Sequence, residues 1–212
     1  MKHRTLWTPL LLALALAPIT AFTAFAEEAA APKPLALGSA IPMADARLKN
    51  IDGKEIAVAD LAGKKGTLVV FTCNACPWAK LWESRIAAIG NAAQKRGIGV
   101  VAINSNDPGV NSEDSYGEMV KRAKKLGLKF AYAVDGTSQV AVAYGATKTP
   151  EAFLFDASGK LVYHGTIDDN AKDAKSVKQF YLHQAVDAVA AGKAVPTAET
   201  KSLGCGIKFR KA

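Results

Sequence analysis

The residues best suited to chemistry in this chain are two cysteines that stand two residues apart, Cys73 and Cys76. The apolar run 68–71 before them predicts a short buried strand, and the helical spacing of apolar residues from 77 to 93 predicts a helix after them. The pair is therefore expected at a helix N-terminus. Negative charge is stabilised at that position, and this includes the charge of a thiolate.

This spacing lets the two sulfurs form a small-loop disulfide that opens and closes without large backbone movement. We expect Cys73 to have a lowered pKa, roughly 3.5–7.5 as in comparable environments, and to be the attacking sulfur. Cys76 lies one turn further along, so we expect it to be less exposed and to resolve a mixed disulfide by attacking Cys73. Pro77 agrees with a helix that starts here, because proline is tolerated in the first turn of a helix.

Two other interpretations of a Cys-x-x-Cys pair are half of a zinc site and an inert structural bridge. Only Cys205 remains as a further cysteine, and His164 and His183 are the histidines that follow the N-terminal segment. The sequence has neither a second Cys-x-x-Cys nor a His-x-x-x-His spacing, which disfavours structural zinc. The cysteine and histidine count thus favours a redox dithiol, and we predict no metal ion and no organic cofactor.

The first 26 residues resemble a secretory signal peptide. They combine basic Lys2 and Arg4, an apolar stretch at 10–17 and an Ala24-Phe25-Ala26 cleavage pattern. The apolar stretch is short and interrupted by prolines, which disfavours a retained membrane anchor, so we predict no stable membrane insertion after cleavage. A bacterial export signal would deliver the chain to the oxidising periplasm, where a dithiol needs a dedicated partner to stay reduced.

Charge and length indicate one domain of ordinary composition. Removal of the signal takes away two basic residues, so the formal net charge falls from +8 to +6. The remaining lysines are spread along the chain, as on a solvated surface, and no nucleic acid partner is predicted. We divide the chain into a signal peptide (1–26), a flexible leader (27–36), a folded domain (37–192) and a tail (193–212) that carries Cys205.

Strands and helices are predicted to alternate through the folded domain. A hairpin around Asp52-Gly53 is expected first, and a strand, helix and strand from 67 to 103 predict a parallel crossover. Two later strands around Gly159 should form an antiparallel hairpin. The predicted strands are 67–71, 98–103, 130–134, 150–156 and 161–165, and the predicted helices are 77–96, 116–126, 137–144 and 177–191.

Three features in this order resemble the thioredoxin-like superfamily, in particular exported TlpA-like proteins and the peroxiredoxin-like redoxin (AhpC/TSA-related) group. They are the Cys73-Asn74-Ala75-Cys76-Pro77 motif after a core strand, Lys148-Thr149-Pro150 before a later strand, and the Gly159 hairpin with a C-terminal helix. The resemblance covers about 37–191. It implies an α/β fold, a thioredoxin-like three-layer α/β/α sandwich with a mixed central sheet, extended here by the N-terminal hairpin.

The resemblance also implies a thiol-disulfide oxidoreductase that acts through Cys73 and Cys76, with protein thiols and disulfides and a redox partner protein as partners. It further implies that the Thr149-Pro150 bond is cis and faces the dithiol, where the Thr149 backbone would pair with an extended substrate. An ordinary trans turn is the alternative.

Thioredoxins carry a buried acid six residues before the first cysteine. Thr67 holds that position here, so no carboxylate is visible there.

Two other functions remain open. Peroxiredoxins use Pro-x-x-x-Thr-x-x-Cys, but counting back from Cys76 puts Cys73 at the threonine position, so the hydroxyl that would bind a peroxide is missing. Copper chaperones of this superfamily have three residues between their cysteines, against two here, and His164 would have to supply the histidine.

Cys205 lies between two glycines, as in the tail of some redoxins. It is either a third thiol near the dithiol or an incidental one.

Overall fold

The computed structural model describes residues 32–211. The predicted signal peptide and the leader as far as residue 31 lie outside the described residues. Thirteen strands and helices follow in chain order. The strands are β1 (Leu48–Asn50), β2 (Glu55–Ile56), β3 (Gly66–Phe71), β4 (Ile98–Asn104), β5 (Ala131–Val134), β6 (Lys148–Thr149), β7 (Glu151–Asp156), β8 (Leu161–Gly165) and β9 (Cys205–Gly206), and the helices are α1 (Pro77–Lys95), α2 (Tyr116–Leu126), α3 (Gln139–Tyr144) and α4 (Tyr181–Ala190).

Seven of these strands form one mixed sheet in the order β2-β1-β5-β4-β3-β7-β8. Strand β3 is an interior strand of this sheet, parallel to β4 and antiparallel to β7. Each neighbour pairs with it along its full length, and all six residues of β3 are buried. A continuous apolar run suits such a strand, because both faces of the sheet are covered.

The side chains of β3 alternate between two cores. Leu68 and Val70 pack with Trp82 of α1 and with apolar residues of α2 and α4, whereas Val69 and Phe71 pack with Tyr144 of α3. One face of the sheet is thus covered by three helices, and the other by α3 and flanking segments. This arrangement confirms the predicted three-layer α/β/α sandwich with a mixed sheet, and β1 and β2 form the predicted N-terminal hairpin.

Two predicted elements differ from the structure. Helix α4 begins at Tyr181 instead of Val177. Two hydrogen bonds to Asp169 keep the preceding segment extended: its carboxylate accepts the backbone N–H of Lys178, and its backbone N–H donates to the carbonyl of Gln179. The tail contains strand β9, which forms a separate two-stranded sheet with β6. Within residues 32–211, no helix combines the length and apolarity needed to cross a membrane.

Candidate active site

The two cysteines lie between the end of β3 and the start of α1, as predicted. Cys76 is the N-cap residue of α1 and Pro77 occupies its first turn. Both cysteine side chains are buried, with 5% of Cys73 and 4% of Cys76 exposed. Neither forms a disulfide in this structure. The strand therefore delivers two reduced thiols to the N-terminal end of the longest helix of the described chain.

Both thiols contact Thr149. The sulfur of Cys73 lies 3.3 Å from the hydroxyl oxygen of Thr149, and the thiol of Cys76 donates to the Thr149 carbonyl oxygen at 3.1 Å. The Thr149-Pro150 peptide bond is cis, which confirms what the resemblance implied. The structure thus brings together the four residues that were predicted for the site.

A buried carboxylate beside the cysteines was missed in the sequence. Asp114 is 2% exposed and ends a short 3₁₀ turn after β4. Its Oδ1 accepts hydrogen bonds from the backbone N–H groups of Asn74, at 2.7 Å, and Ala75, at 3.1 Å. The signal available in the sequence was topological. Parallel strands β3 and β4 end at the same edge of the sheet, so the loops that follow them meet there.

The same carboxylate is held by two asparagine side chains. Asn104 donates to Asp114 Oδ1 at 3.3 Å, and Asn106 donates to Oδ2 at 2.9 Å. Tyr132 donates to the side-chain oxygen of Asn74 at 3.1 Å. Asp114 therefore accepts four hydrogen bonds, fixes the backbone between the two cysteines and places a negative charge next to Cys73.

These contacts contradict the prediction that Cys73 has the lowered pKa. Hydrogen bonding with Cys76, burial and the negative charge of Asp114 raise the pKa of Cys73. Hydrogen bonds from the thiols of Cys73 and Cys205 and from the Ala79 backbone lower the pKa of Cys76. The Thr149 carbonyl opposes this, since a thiol but not a thiolate can donate to it. Burial also opposes the thiolate, but the three converging donors outweigh burial and the carbonyl together, so we place the first negative charge of the pair on Cys76.

The physical reason for the error lies in the N–H groups between the cysteines. The prediction assigned unpaired N–H groups of the helix start to Cys73. In the structure, those of Asn74 and Ala75 are used by Asp114, and Cys76 is the residue at the N-cap.

Comparison with known proteins gives the family. The AhpC/TSA family model matches residues 38–164. The chain belongs to the AhpC/TSA family. It is 31% identical, over 176 residues, to the thiol-disulfide oxidoreductase ResA of Geobacillus thermodenitrificans, and the match covers 80% of this chain and 92% of the relative.

Two solved structures place the fold of this AhpC/TSA chain. A hypothetical protein from Sinorhizobium meliloti superposes with a TM-score of 0.77 at 36% identity, over 85% of this chain and 98% of that one. A thioredoxin-like protein in its oxidised form gives a TM-score of 0.58 at 20% identity, over 75% of this chain and 99% of that one. The predicted thioredoxin-like fold and the prediction of an oxidoreductase are confirmed.

In this AhpC/TSA chain, the loop before Pro150 is held by a second buried carboxylate. Glu151 Oε2 accepts the backbone N–H groups of Thr147, at 2.8 Å, and Lys148, at 2.9 Å, and Oε1 lies 2.7 Å from Nε2 of His164. Burial would raise the pKa of Glu151, but the hydrogen bonds from His164 and the backbone outweigh it and lower the pKa. The structure thus places His164 against Glu151.

Cys205 lies beside the dithiol. In the β6–β9 ladder, Thr149 is paired with Cys205 and Lys148 with Gly206. The Cys205 side chain packs against the cluster formed by Cys73, Cys76 and Ala79. Of the two roles left open for this cysteine, the structure favours a thiol near the dithiol.

Strand β9 also occupies the backbone of Thr149. The resemblance implied that this backbone pairs with an extended substrate. In the structure, its partner strand comes from the tail of the same chain, and Thr149 is buried. A small cavity of about 30 Å³ lies beside Cys73 between α1 and α2. Cys73, Asn74, Glu83 and Arg122 are among its lining residues, and an ion pair of 2.6 Å joins Glu83 of α1 to Arg122 of α2.

The described residues contain no ready metal centre. Between residues 32 and 211, no three His, Cys, Asp or Glu side chains are grouped so that they could hold a metal ion.

Proposed function

We propose that this protein is a thiol-disulfide oxidoreductase that exchanges disulfides with protein substrates through Cys73 and Cys76. The observation that carries the proposal is the geometry of the two thiols, both buried at the N-terminus of α1 and both within hydrogen-bonding distance of Thr149. The name of the ResA relative, a thiol-disulfide oxidoreductase, supports the same reaction class.

Cys73 follows the end of β3 and lines the cavity between α1 and α2, and we infer that it is the sulfur that meets the substrate. As Cys73 attacks a substrate disulfide, its proton passes to the neighbouring Cys76 thiolate, a new bond joins Cys73 to the substrate, and the other substrate sulfur leaves as a thiolate. Cys76 then gives this proton to the released substrate thiolate and attacks the sulfur of Cys73 as a thiolate. The bond between Cys73 and the substrate breaks, and the second substrate sulfur leaves as a thiolate that takes up a proton from water. The products are a substrate dithiol and a Cys73–Cys76 disulfide.

Two residues position these sulfurs without reacting. Asp114 holds the Asn74-Ala75 turn through its backbone N–H groups, which fixes the separation of the cysteines. Thr149 contacts one sulfur through its hydroxyl and the other through its carbonyl. Precise placement of reacting groups is a major source of rate enhancement, so the turn and the loop are part of the catalytic arrangement.

Equilibration with glutathione buffers tests the proposal. The fraction of oxidised protein should follow the ratio of reduced to oxidised glutathione as a two-electron couple. In a Cys205→Ser variant, whose two remaining cysteines can pair only with each other, peptide mapping without reductant should find a bond between Cys73 and Cys76. The double variant Cys73→Ser/Cys76→Ser serves as the control and should show no such couple. Cysteines that stay reduced, or that form only mixed disulfides with glutathione, would contradict the proposal.

We also propose that the protein works in the periplasm with a redox partner protein that resets the dithiol. The support is the composition of the first 26 residues, which carries a basic start, an apolar stretch and an Ala-x-Ala pattern. A dithiol in an oxidising compartment does not stay reduced unless another protein supplies electrons.

A further inference from the structure

Strand β9 places a thiol where an incoming substrate would present one. It pairs antiparallel with β6, and this pairing sets Cys205 opposite Thr149. The carbonyl oxygen of Thr149 accepts the hydrogen bond from Cys76 at 3.1 Å. Adding an extended strand beside a free backbone edge is a common way to recognise a peptide, and here the chain supplies that strand itself.

The residue before Cys205 allows this close approach. A Cβ atom at Gly204 would stand 2.2 Å from the carbonyl oxygen of Thr149, far closer than a side chain can lie. Only glycine therefore lets the tail lie against the loop at this point. The approach brings the Cys205 side chain into the cluster that holds Cys73 and Cys76.

The tail is anchored on both sides of Cys205. Before it, the hydroxyl of Ser202 donates to Glu151 at 2.9 Å. After it, the backbone N–H of Ile207 donates to the carbonyl of Thr147 at 3.0 Å, and that of Lys208 donates to the side chain of Asn106 at 2.9 Å. A thiol held this way is present at high effective concentration beside the dithiol, so its reaction competes with that of thiols in solution.

We propose that Cys205 is a third redox residue, which takes over the disulfide of the Cys73–Cys76 pair by bonding to Cys76. This inference rests on the proposed function, because it needs the oxidised pair that substrate turnover produces. Cys205 lies outside the region matched by the family model, residues 38–164.

The step is an exchange without net oxidation. The Cys205 thiolate attacks Sγ of Cys76 in the Cys73–Cys76 disulfide, a Cys76–Cys205 bond forms, and the Cys73–Cys76 bond breaks. Cys73 leaves as a thiolate and takes up the proton that Cys205 released. The protein stays oxidised by two electrons, and Cys73 is again a free thiol that can attack a substrate.

The electrostatics of the three sulfurs agree with this order. Burial raises the pKa of Cys205, and the neighbouring Cys76 raises it further. The negative charge of a Cys76 thiolate would repel a second thiolate at Cys205, so Cys205 stays protonated while the Cys73–Cys76 pair is reduced. Once Cys76 is bound in a disulfide, it carries no charge and this opposition disappears.

Selective labelling of the oxidised protein tests the inference. Wild-type protein is oxidised to the level of one disulfide, its free thiols are alkylated, and the peptides are mapped without reductant. We expect a Cys76–Cys205 peptide together with alkylated Cys73. In Cys205→Ser both should be lost, because its single disulfide can join only Cys73 to Cys76. Equal Cys73 alkylation in the two proteins, without a Cys76–Cys205 peptide, would overturn the inference.

A second variant keeps the test decisive. Cys73→Ser retains only Cys76 and Cys205, and with oxidised glutathione it should form an internal disulfide and release both glutathione molecules. A stable mixed disulfide at Cys76 beside a free Cys205 would count against the inference. Failure of the proposed function has a different signature, since Cys205→Ser would then form no Cys73–Cys76 disulfide in glutathione buffers.

Discussion

Asp114 changes the electrostatics of the cysteine pair at the scale of single residues. A carboxylate that accepts both N–H groups between the cysteines removes the donors that would otherwise stabilise a thiolate at Cys73. Its own charge then adds repulsion. The charge of the reduced pair consequently moves to Cys76, where the start of α1 and the thiols of Cys73 and Cys205 provide hydrogen bonds.

The first prediction concerns this repulsion. In a Cys76→Ser/Cys205→Ser background, Asp114→Asn should lower the pKa of Cys73, because the negative charge beside the sulfur is removed. The pH dependence of the rate of iodoacetamide alkylation measures this pKa. Glu113→Gln is the matched control, since that carboxylate is exposed and pairs with Lys80. An alkylation profile that is unchanged in Asp114→Asn, or shifted equally in the control, would contradict the assignment.

The second prediction concerns the pH dependence of stability at Glu151. Its folded pKa is lowered, so its hydrogen bonds and its pairing with His164 stabilise the fold above the ordinary value of 4.5 and are lost as the pH falls through the lowered value. Glu151→Gln should therefore lower the free energy of unfolding at pH 7 by about 1–3 kcal/mol. The difference from wild type should shrink in acid.

Urea unfolding at pH 7 and at acid pH measures both differences. Glu199→Gln is the control, because its carboxylate is 64% exposed and lies 3.9 Å from the other ring nitrogen of His164. A constant difference between Glu151→Gln and wild type at every pH would mean that the ionised carboxylate is not the stabilising form.

At the scale of elements, local patterns predicted most of the fold. The alternation of apolar runs with helical spacing located β3, α1, β4 and α2 to within a residue or two, because each of these has a strong burial pattern of its own. Strand β9 has two residues and no apolar period, so nothing local indicated it. Its existence depends on tertiary contact with Thr149 across more than fifty residues of sequence.

The third prediction tests that contact. Gly204→Ala should lower the free energy of unfolding by about 1–3 kcal/mol, since its Cβ would overlap the Thr149 carbonyl oxygen and force the tail away. Amide hydrogen exchange at Ile207, which donates to Thr147, should become faster. Gly136→Ala is the control, because a Cβ there meets nothing within 4 Å. Equal stability of the two variants would show that β9 does not require glycine at this position.

At the scale of the whole molecule, the sequence predicted the reacting sulfurs better than their surroundings. Cys73, Cys76 and the Thr149-Pro150 loop could be located because motif spacing and order carry that information. The carboxylates of Asp114 and Glu151 could not, since each acts through the packing of distant segments. The same limit applied to the direction of the pKa shift at Cys73, which depends on where those carboxylates lie.

The fourth prediction concerns export. Expressed in a Gram-negative host, the full chain should be recovered from the periplasmic fraction with Glu27 as its first residue, because the Ala24-Phe25-Ala26 pattern directs cleavage after Ala26. N-terminal sequencing measures this directly, and Ala24→Arg should remain uncleaved. Recovery of wild-type protein from the cytoplasm with an intact N-terminus would contradict the proposed location.

The central claim is that disulfide exchange depends on the sulfur of Cys73 at the start of α1. The most direct measurement is the rate of insulin-disulfide reduction, with dithiothreitol as the source of electrons. We predict that wild-type protein accelerates the reaction and that Cys73→Ser returns it to the rate of dithiothreitol alone, with the folded state of the variant verified by circular dichroism. A Cys73→Ser protein that reduces insulin as fast as wild type would contradict the account.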